Sequence, residues 1–374
     1  MAGDGKTDAR SIVYNRIKKR LTIAEITVQL AMFLFFVFAP LTQRISSFAG
    51  FYADNAFIRF FIFAGIISTA FYLVGLAFSF YGGYIIEKDF GLSNQSLRQW
   101  AVEQLKSLVV TLAIGIPLAA AFYAALLLGG SLWWAYFATV IVLVTVILVK
   151  LAPVLLFPIF YTFTPLENDA VRERIMNHVR DADISIENIF TFNLSKNTRK
   201  ANAAFTGMGK TKRILLSDTL IDNFTPEEIG AVFAHEIGHY RKRHIIALTG
   251  LSIAVNYLSY FVCAVLYDLY LDLSGYMHTY TLAALPMLML LLTVFSLLVM
   301  PVINAVSRKF EWDADRYVLE HESGETFASA LEKIGEMNVA DRNPHPLYEC
   351  IFYSHPSIAK RIAYARTYQS QDQK

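Results

Sequence analysis

The stretch HEIGHYRKRHIIALTGLSIAVNYLSYFVCAVLY, residues 235–267, joins a polar segment that carries histidines to a long apolar segment. A basic run at 241–243 separates the two parts. The apolar part, 245–267, is as long as the roughly 20 residues that a helix needs to cross a bilayer. The stretch therefore predicts a helix that enters a membrane directly after a polar cluster of histidines.

Apolar runs of this length recur along the chain. Hydrophobic residues make up 55% of the 374 residues, above the roughly 45–50% of soluble domains, and the excess is concentrated in these runs. Six runs are long enough to span a membrane: 22–42, 57–81, 106–128, 132–158, 245–267 and 279–303. The sequence therefore predicts an all-α, multi-pass membrane protein that sits in the lipid bilayer with about six long transmembrane helices.

Basic residues are distributed unevenly among the segments that connect these spans. Six Lys and Arg precede the first span, twelve lie in 161–243 and nine in 304–374, whereas 268–278 has none. Because Lys and Arg collect on the cytoplasmic side, both termini and both polar regions are predicted to be cytoplasmic. The first apolar run lacks the cleavage motif of a secretory signal peptide, so we expect it to be retained as a span.

Charge and cysteine content exclude several kinds of site. The formal net charge of +2 gives no indication that the chain binds nucleic acid. Cys263 lies in an apolar run and Cys350 in a polar tail, so a disulfide framework is not expected. Any metal site in this chain must therefore be built from histidines and carboxylates.

The segment before the fifth span has the pattern of a well-capped helix. Thr225 suits the N-cap, Pro226 suits the first helical position, and Glu228 completes a capping box. On such a helix His235 and His239, four residues apart, project from one face. Two imidazoles at this spacing can hold one Zn²⁺, which predicts one zinc ion per chain.

A hydrolytic zinc site needs a base and a third protein ligand. Glu236, beside the first histidine, is predicted to face the open position of the metal. Glu311 is the candidate third ligand, and Asp315, four residues later, can accept a hydrogen bond from a ligand histidine. Two spans separate His239 from Glu311, so both lie on the same side of the membrane. The alternative for Glu311 and Asp315 is a solvated acidic helix.

These features divide the chain into four parts. Residues 1–160 hold the first four spans, and residues 244–303 hold the last two. Residues 161–243 form a zinc-binding region with one additional helix and the histidine helix, and residues 304–374 add the third ligand. Three short strands are predicted in that zinc-binding region, at 186–194, 202–210 and 213–221.

Several motifs in this order resemble the integral-membrane zinc endopeptidases of the CAAX prenyl protease 1 family. The matching stretches are NAAFTGMGKTKRILLSDTL (202–220), HEIGH (235–239), EWDAD (311–315) and HPSIAKR (355–361), with GYIIEKDFGLSNQSLRQW (83–100) upstream. The resemblance covers about residues 57–366. It implies a barrel of long helices around an intramembrane chamber, with a small α+β zinc domain of the gluzincin type on the cytoplasmic side.

The resemblance also implies roles for individual residues. In the family, the residues that match His235, His239 and Glu311 bind the metal, and the residue that matches Glu236 is the general base. The implied reaction is therefore hydrolysis of a peptide bond.

Substrate contacts follow from the same resemblance. An edge strand in the family pairs with the substrate backbone, which is β-augmentation. Here it is matched by Asn202, Ala203, Ala204 and Phe205. The residues that match His355 and Arg361 contact the substrate or the tetrahedral oxyanion. Taken without the resemblance, His355 is better explained as an ordinary histidine at a helix start, before Pro356.

Three functions remain to be compared. The favoured one is a zinc endopeptidase that cuts a peptide or protein substrate near the cytoplasmic membrane face, with prenylated CAAX C-termini indicated by resemblance. The alternative is a quality-control protease that cuts membrane proteins more broadly. A channel or transporter with a structural zinc site would need a fourth metal ligand, and the spacing shows none.

Two departures from the family bear on the source and the location. The chain has six spans where eukaryotic members have one more, and Ala204 stands where an aromatic residue is usual. Both departures favour a shorter prokaryotic member. The expected location is the inner membrane if the protein is prokaryotic and the endoplasmic reticulum if it is eukaryotic.

Overall fold

The secondary structure is mostly helical, with one small sheet. The structure is a computed structural model that describes residues 4–182, 184, 186, 188–206 and 213–372. In chain order the elements are α1 (Asp4–Phe38), α2 (Leu41–Tyr52), α3 (Ala56–Ser79), α4 (Ile86–Asp89), α5 (Leu97–Leu128), α6 (Trp133–Leu151), α7 (Phe157–Phe160), β1 (Phe163–Pro165), α8 (Asp169–Asp181), β2 (Asn188–Phe192), β3 (Ala203–Thr206), β4 (Arg213–Ser217), α9 (Asp218–Asn223), α10 (Pro226–Arg241), α11 (His244–Ser274), α12 (Leu285–His321), α13 (Gly324–Met337), α14 (Pro346–Phe352) and α15 (Ile358–Asp372).

Six helical segments of the described chain are long and apolar enough to cross a membrane. They are Ala9–Phe38, Ala56–Asp89, Leu97–Leu128, Gly130–Phe160, His244–Ser274 and Leu282–His321. Two of them contain a π-helical turn, at Phe80–Ile85 and Ala152–Leu156, which joins α3 to α4 and α6 to α7. The six predicted spans are therefore confirmed, and the chain is a multi-pass integral membrane protein.

The six long helices form a closed ring. Helix α1 contacts α3, α3 contacts α5, α5 contacts α6, α6 contacts α11, α11 contacts α12, and α12 returns to α1. Each helix therefore has two neighbours in the ring, which is the barrel arrangement that the family resemblance implies.

A cluster of aromatic and aliphatic side chains closes one end of the ring. Helix α2 contributes Ile45 and Ala49, and the ring helices contribute Trp133 and Tyr267, all of them buried. The hydroxyl of Tyr267 donates a hydrogen bond to the carbonyl of Thr279, 3.1 Å away, so its polar end is satisfied. This cluster packs α2 across the helix ends that lie away from the histidine helix.

Helix boundaries differ from the predictions at the first and sixth spans. The first span was predicted to reach residue 42, but α1 ends at Phe38 because Pro40 interrupts the helical hydrogen bonds. The sixth span was predicted at 279–303, but α12 begins at Leu285 and runs to His321 without a break. Its 37 residues extend for about 55 Å, well beyond the roughly 30 Å of a hydrocarbon core. The span itself therefore carries Glu311 out of the membrane.

The sheet stands beside the histidine helix. Its order is β1-β2-β4-β3, with β2 and β4 parallel and the outer pairs antiparallel. Side chains from one face, including Ile189, Ile214 and Leu216, pack with α8 and α10 in a buried cluster. Strand β3 lies at the edge of the sheet formed by the described residues, as the resemblance implies for the segment that begins at Asn202.

Two strand predictions needed correction and one strand was missed. The strand predicted at 213–221 ends at Ser217, because the Ser217 hydroxyl caps a new helix, α9, by accepting from the amide of Leu220. The predicted strand 186–194 is shorter, as β2. Strand β1 was not predicted, since three residues are too few to show a period. Of the predicted strand 202–210, residues 207–210 lie outside the described chain.

Candidate active site

Helix α10 begins with the predicted capping box. The Thr225 hydroxyl accepts from the Glu228 amide at 3.3 Å, and the Glu228 carboxylate accepts from the Thr225 amide at 2.9 Å. Glu228 is buried and also accepts hydrogen bonds from the Ser329 hydroxyl (2.7 Å) and the Lys333 ammonium (2.6 Å) of α13. The cap therefore both starts the histidine helix and ties it to a neighbouring helix.

Helices α10 and α12 approach each other closely at Gly238. A Cβ added to Gly238 would lie 3.0 Å from the Ala314 Cα and 3.1 Å from both the Ala314 carbonyl oxygen and the Tyr317 Cβ. These distances are tighter than nearly all real Cβ contacts, and a backbone atom cannot move aside as the end of a flexible side chain can, so a side chain here would push the two helices apart. Because Gly238 lies between the two histidines and α12 carries Glu311, the close approach brings the three predicted metal ligands together.

The three predicted metal ligands converge on one point. The His235 Nε2 lies 3.1 Å from the His239 Nε2 and 3.3 Å from the Glu311 Oε2, and the His239 Nε2 lies 3.2 Å from the Glu311 Oε1. One ligand atom from each residue falls within 4.8 Å of the others. Glu311 Oε2 is buried and accepts no hydrogen bond from the described residues. Two imidazole nitrogens and an unsatisfied carboxylate oxygen fit a metal cation.

Electrostatics at this point favour a positive charge. Burial disfavours the charged form of His235, but the adjacent carboxylates of Asp315 and Glu311 outweigh burial and raise the pKa of His235 to about 9. In the absence of any other cation the carboxylates would draw a proton onto the imidazole. A metal ion supplies the same positive charge and takes the place of that proton.

Asp315 and Arg361 fix His235 on the side of its ring that faces away from the other two predicted ligands. The Nδ1 of His235 donates to the Asp315 Oδ1 at 2.9 Å, and Asp315 is fully buried. The guanidinium of Arg361 donates two hydrogen bonds to the same carboxylate, at 2.8 and 2.6 Å. This pair fixes the ring and leaves its Nε2 directed at Glu311, as expected for the partner of a ligand histidine.

His239 is held by a residue that the sequence did not indicate. The Nδ1 of His244 lies 3.0 Å from the Nδ1 of His239, and the His244 ring is buried and stacks on Phe310 at 4.2 Å. In the sequence, His244 only stands between the basic run at 241–243 and the fifth apolar run at 245–267. The residue faces the site because Arg243 adopts a left-handed conformation (φ 57°) that turns the chain back between α10 and α11. Linear spacing gives no signal for such a turn.

The predicted general base lies beside the first histidine. Glu236 is partly buried and lies close enough to Arg361 to favour the charged form of that guanidinium. Within the described part of the chain, its carboxylate takes part in no hydrogen bond or ion pair. This leaves its oxygens available to a water molecule or a substrate amine.

His355 lies at the open side of the cluster. Its Nε2 is 3.3 Å from the Glu311 Oε1, and its side chain is 60% exposed. The residue sits between α14 and α15. The carboxylate of Glu349 joins these helices by accepting from the Ser357 amide at 3.0 Å and from the Lys360 ammonium at 2.7 Å.

A second anchor fixes α14 to the helix that carries Glu311. Arg308, on α12, donates to the carbonyls of Glu349, Cys350 and Tyr353 at 3.2, 3.1 and 2.6 Å. Because His355 follows directly after this segment, its distance from Glu311 is set by contacts within one helix pair.

The edge strand is near the histidine helix but is not part of the cluster. Strand β3 contacts α10. The Asn202 carbonyl accepts from the Ser217 amide at 3.0 Å. Along an antiparallel edge strand, residues whose backbone N–H and C=O bond to the neighbouring strand alternate with residues whose N–H and C=O point away from it. The backbone groups of Ala203 and Phe205 are therefore directed to the open edge, whereas those of Ala204 pair with Leu215 of β4.

Comparisons with known proteins cover both halves of the chain. Residues 165–369 match the sequence model described as peptidase family M48. Residues 4–162 match the model described as the CAAX prenyl protease N-terminal region with five membrane helices. In that region the described chain has four candidate spans and the shorter helix α2.

Individual relatives are similar over almost the whole chain. The uncharacterised metalloprotease YhfN of Bacillus subtilis is 31% identical, covering 94% of this chain and 84% of the relative. CAAX prenyl protease 1 of Saccharomyces cerevisiae is 28% identical, covering 99% and 88%. The crystal structure of Ste24p from S. mikatae superposes with a TM-score of 0.86 at 26% identity, covering 96% and 89%.

The helical ring, the sheet and the metal-ligand cluster thus occur in a chain whose relatives are membrane metallopeptidases. The family model covers more than half of the residues, and it includes the whole of the ligand cluster. We conclude that this chain belongs to peptidase family M48 and is a membrane-embedded metalloendopeptidase.

Proposed function

We propose that this protein is a zinc endopeptidase that cleaves prenylated, CAAX-type C-terminal sequences at the cytoplasmic face of its membrane. The convergence of His235, His239 and Glu311 beside Glu236 carries the proposal. Two histidines and one glutamate are a catalytic zinc set, because they leave a position open for water or substrate. Carboxylate-rich oxygen sites suit magnesium and calcium instead.

The residues of the chain divide the chemistry between them. When bound, zinc polarises the scissile carbonyl and lowers the pKa of the attacking water. Glu236 takes the proton from that water and delivers it to the leaving amine. His355, exposed beside Glu311, donates a hydrogen bond to the developing oxyanion.

Arg361 takes a narrower role than the resemblance implies. Its side chain is buried and its Nε and Nη2 are committed to Asp315, while its Nη1 lies 3.8 Å from Glu311. Its charge therefore acts on the oxyanion mainly through the residues it holds. We assign Arg361 to positioning His235 and Glu311.

The edge strand β3 supports an extended peptide substrate. The outward backbone groups of Ala203 and Phe205 can pair with a peptide by β-augmentation, which positions a main chain without demanding particular side chains. The CAAX substrate class comes from relatives such as CAAX prenyl protease 1 of Saccharomyces cerevisiae, whose similarity covers nearly the whole chain. A lipid-modified C-terminus held in the bilayer suits a site carried at the end of a transmembrane helix.

The orientation can be tested with the two natural cysteines. Cys350 is exposed on α14, close to the site, whereas Cys263 is buried among the spans. A membrane-impermeant maleimide added to sealed cells should leave Cys350 unlabelled and should label it after permeabilisation. Labelling of Cys350 in sealed cells would place the site outside the cytoplasm.

The activity test compares wild type with Glu236→Gln. Purified protein is assayed for zinc content and for cleavage of a farnesylated CAAX peptide. We expect about one zinc per chain in both proteins and a fall in kcat of about 100-fold or more in the variant. Glu227→Gln, an exposed position on the same helix, is the matched control and should cleave normally. Undiminished cleavage by Glu236→Gln would refute the mechanism.

A broader protease is the second candidate, because pairing with the outward backbone groups of β3 demands no particular side chains in the substrate. Two further substrates distinguish CAAX processing from broad proteolysis: the same peptide without its prenyl group, and a misfolded membrane protein. Equal cleavage of the prenylated and unprenylated peptides, together with cleavage of the misfolded protein, would favour quality control over CAAX processing.

A further inference from the structure

A cluster of charged side chains lies at the amino end of the edge strand β3. The Lys200 ammonium is 2.9 Å from the Glu87 Oε2 and 3.2 Å from the Tyr14 hydroxyl. The Lys18 ammonium is 3.2 Å from the Glu87 Oε1. Helices α1 and α4 thus meet the segment that leads into β3 through four polar side chains.

The cluster carries an excess positive charge. Two ammonium groups face the single carboxylate of Glu87, which leaves one positive charge. Tyr14 and Glu87 are buried, whereas the side chains of Lys18 and Lys200 are 37% and 32% exposed. Each ammonium has three donors, and Lys200 uses two of them within the described residues. A further anion can therefore be bound at the exposed side of Lys200.

The backbone before β3 is held firmly, so this charge has a fixed position relative to the strand. The Lys200 carbonyl accepts from the Thr219 hydroxyl at 2.8 Å. The Ala201 amide donates to the Asn338 side chain at 3.1 Å, and the Asn202 amide donates to the Ser217 hydroxyl at 3.0 Å. Lys200 is therefore a rigid extension of the substrate-pairing edge.

The direction of β3 decides which end of a peptide meets Lys200. Antiparallel pairs outnumber parallel ones, and a peptide paired antiparallel to β3 runs toward the strand's amino end. Its carboxyl end then approaches Lys200. The peptide residue opposite Ala203 and the peptide residue opposite Lys200 are three positions apart, which is about 10 Å in an extended strand. A CAAX sequence likewise places three residues after its cysteine.

We propose that Lys200, supported by Lys18 and Tyr14, forms a subsite for the terminal carboxylate of a peptide bound along β3. The proposal rests on the proposed function and adds a rule of specificity to it. A free carboxylate pairs its negative charge with the Lys200 ammonium through a hydrogen bond between two ions, whereas an amidated C-terminus has no charge to pair and an extended one carries its charge beyond the subsite. The enzyme would thus measure the length of chain beyond the cleavage point.

The test uses the full-length protein in detergent and two farnesylated CAAX peptides that differ only in a free or amidated C-terminus. Wild type should cleave the free acid about ten-fold more efficiently in kcat/KM, as expected for one charge-assisted hydrogen bond. Lys200→Gln should lose this preference by cleaving the acid more slowly and the amide unchanged. Lys200→Arg should restore the preference. Arg199→Gln, which removes the same charge from the neighbouring exposed position, should keep it.

The outcomes separate this proposal from the proposed function. Equal cleavage of acid and amide by wild type overturns the subsite and leaves CAAX processing intact. An equal loss on both peptides in Lys200→Gln assigns Lys200 a purely structural role and also overturns it. If wild type cleaves neither peptide but cleaves a misfolded membrane protein, the proposed function itself fails.

Discussion

The Nδ1 atoms of His239 and His244 lie 3.0 Å apart, which couples a predicted metal ligand to the first residue of the fifth span. A histidine that binds metal through Nε2 carries its proton on Nδ1, so His239 donates and His244 accepts. The His244 proton then lies on Nε2, which faces the Asp313 carboxylate at 3.8 Å. His244 thus does for His239 what Asp315 does for His235.

Replacing His244 should therefore weaken metal binding. We expect His244→Ala to bind zinc about 10- to 100-fold more weakly, the usual cost of losing a partner of a ligand histidine. Zinc affinity is measured by competition with a chelator on purified protein. His278→Ala, at the opposite end of the bundle, is the control and should bind as wild type does. Unchanged affinity in His244→Ala would show that the contact has no role in the metal site.

The convergence of the three ligands could be predicted because it depends on local rules. Histidines four apart share a helix face, and an even number of spans returns Glu311 to the side of His239. His244 could not be predicted, since its position depends on the left-handed backbone of Arg243. A basic residue with that conformation leaves no mark in the sequence.

The fold was predictable to a similar degree and for similar reasons. Long apolar runs identify spans directly, so all six were found. The single helix that carries Glu311 was divided at residue 303, because hydropathy reports where the lipid ends and not where the helix ends. Strand β1 and helix α9 were missed because three to six residues are too few for a period to appear.

The contact at Gly238 predicts that even a methyl group would disturb the site. In Gly238→Ala the new Cβ would meet the Ala314 backbone at 3.0 Å, so α10 and α12 must separate. We expect a loss of about 1–3 kcal/mol in the free energy of unfolding, with weaker zinc binding. Both are measured on purified protein by thermal unfolding and chelator competition. Gly250→Ala, where a Cβ meets nothing within 4 Å, should be neutral or slightly stabilising, and equal effects of the two would refute the packing argument.

Replacing the buried carboxylate of Glu228 should change the stability of the protein by an amount that depends on pH. Burial opposes ionisation, but hydrogen bonds from Lys333, Thr225 and Ser329 outweigh it and lower the pKa of Glu228. A carboxylate with a lowered folded pKa stabilises the protein above its unfolded pKa of about 4.3, and this is lost as pH falls through the folded value. Glu228→Gln should therefore be less stable by about 1–3 kcal/mol at pH 7.

The difference in the free energy of unfolding between wild type and Glu228→Gln should shrink as pH falls below about 4. Thermal unfolding of both proteins from pH 7 to pH 3 measures it. Glu227→Gln, on the exposed side of the same turn, controls for the loss of a negative charge at the helix start and should show little change. A difference between Glu228→Gln and wild type that is constant over the whole pH range would contradict the assignment.

Replacing Arg308 should reduce catalysis without reducing the amount of bound zinc. Its three hydrogen bonds hold the segment before His355 against the helix of Glu311, whereas the ligands themselves are placed by the packing of α10 on α12. Arg308→Gln should therefore lower kcat by up to about 100-fold, the cost of misplacing a catalytic group by about 1 Å, with zinc content unchanged. Arg316→Gln, on the exposed face of the same helix, should keep full activity. A variant of Arg308 that loses zinc along with activity would show that α14 supports the ligands and not His355 alone.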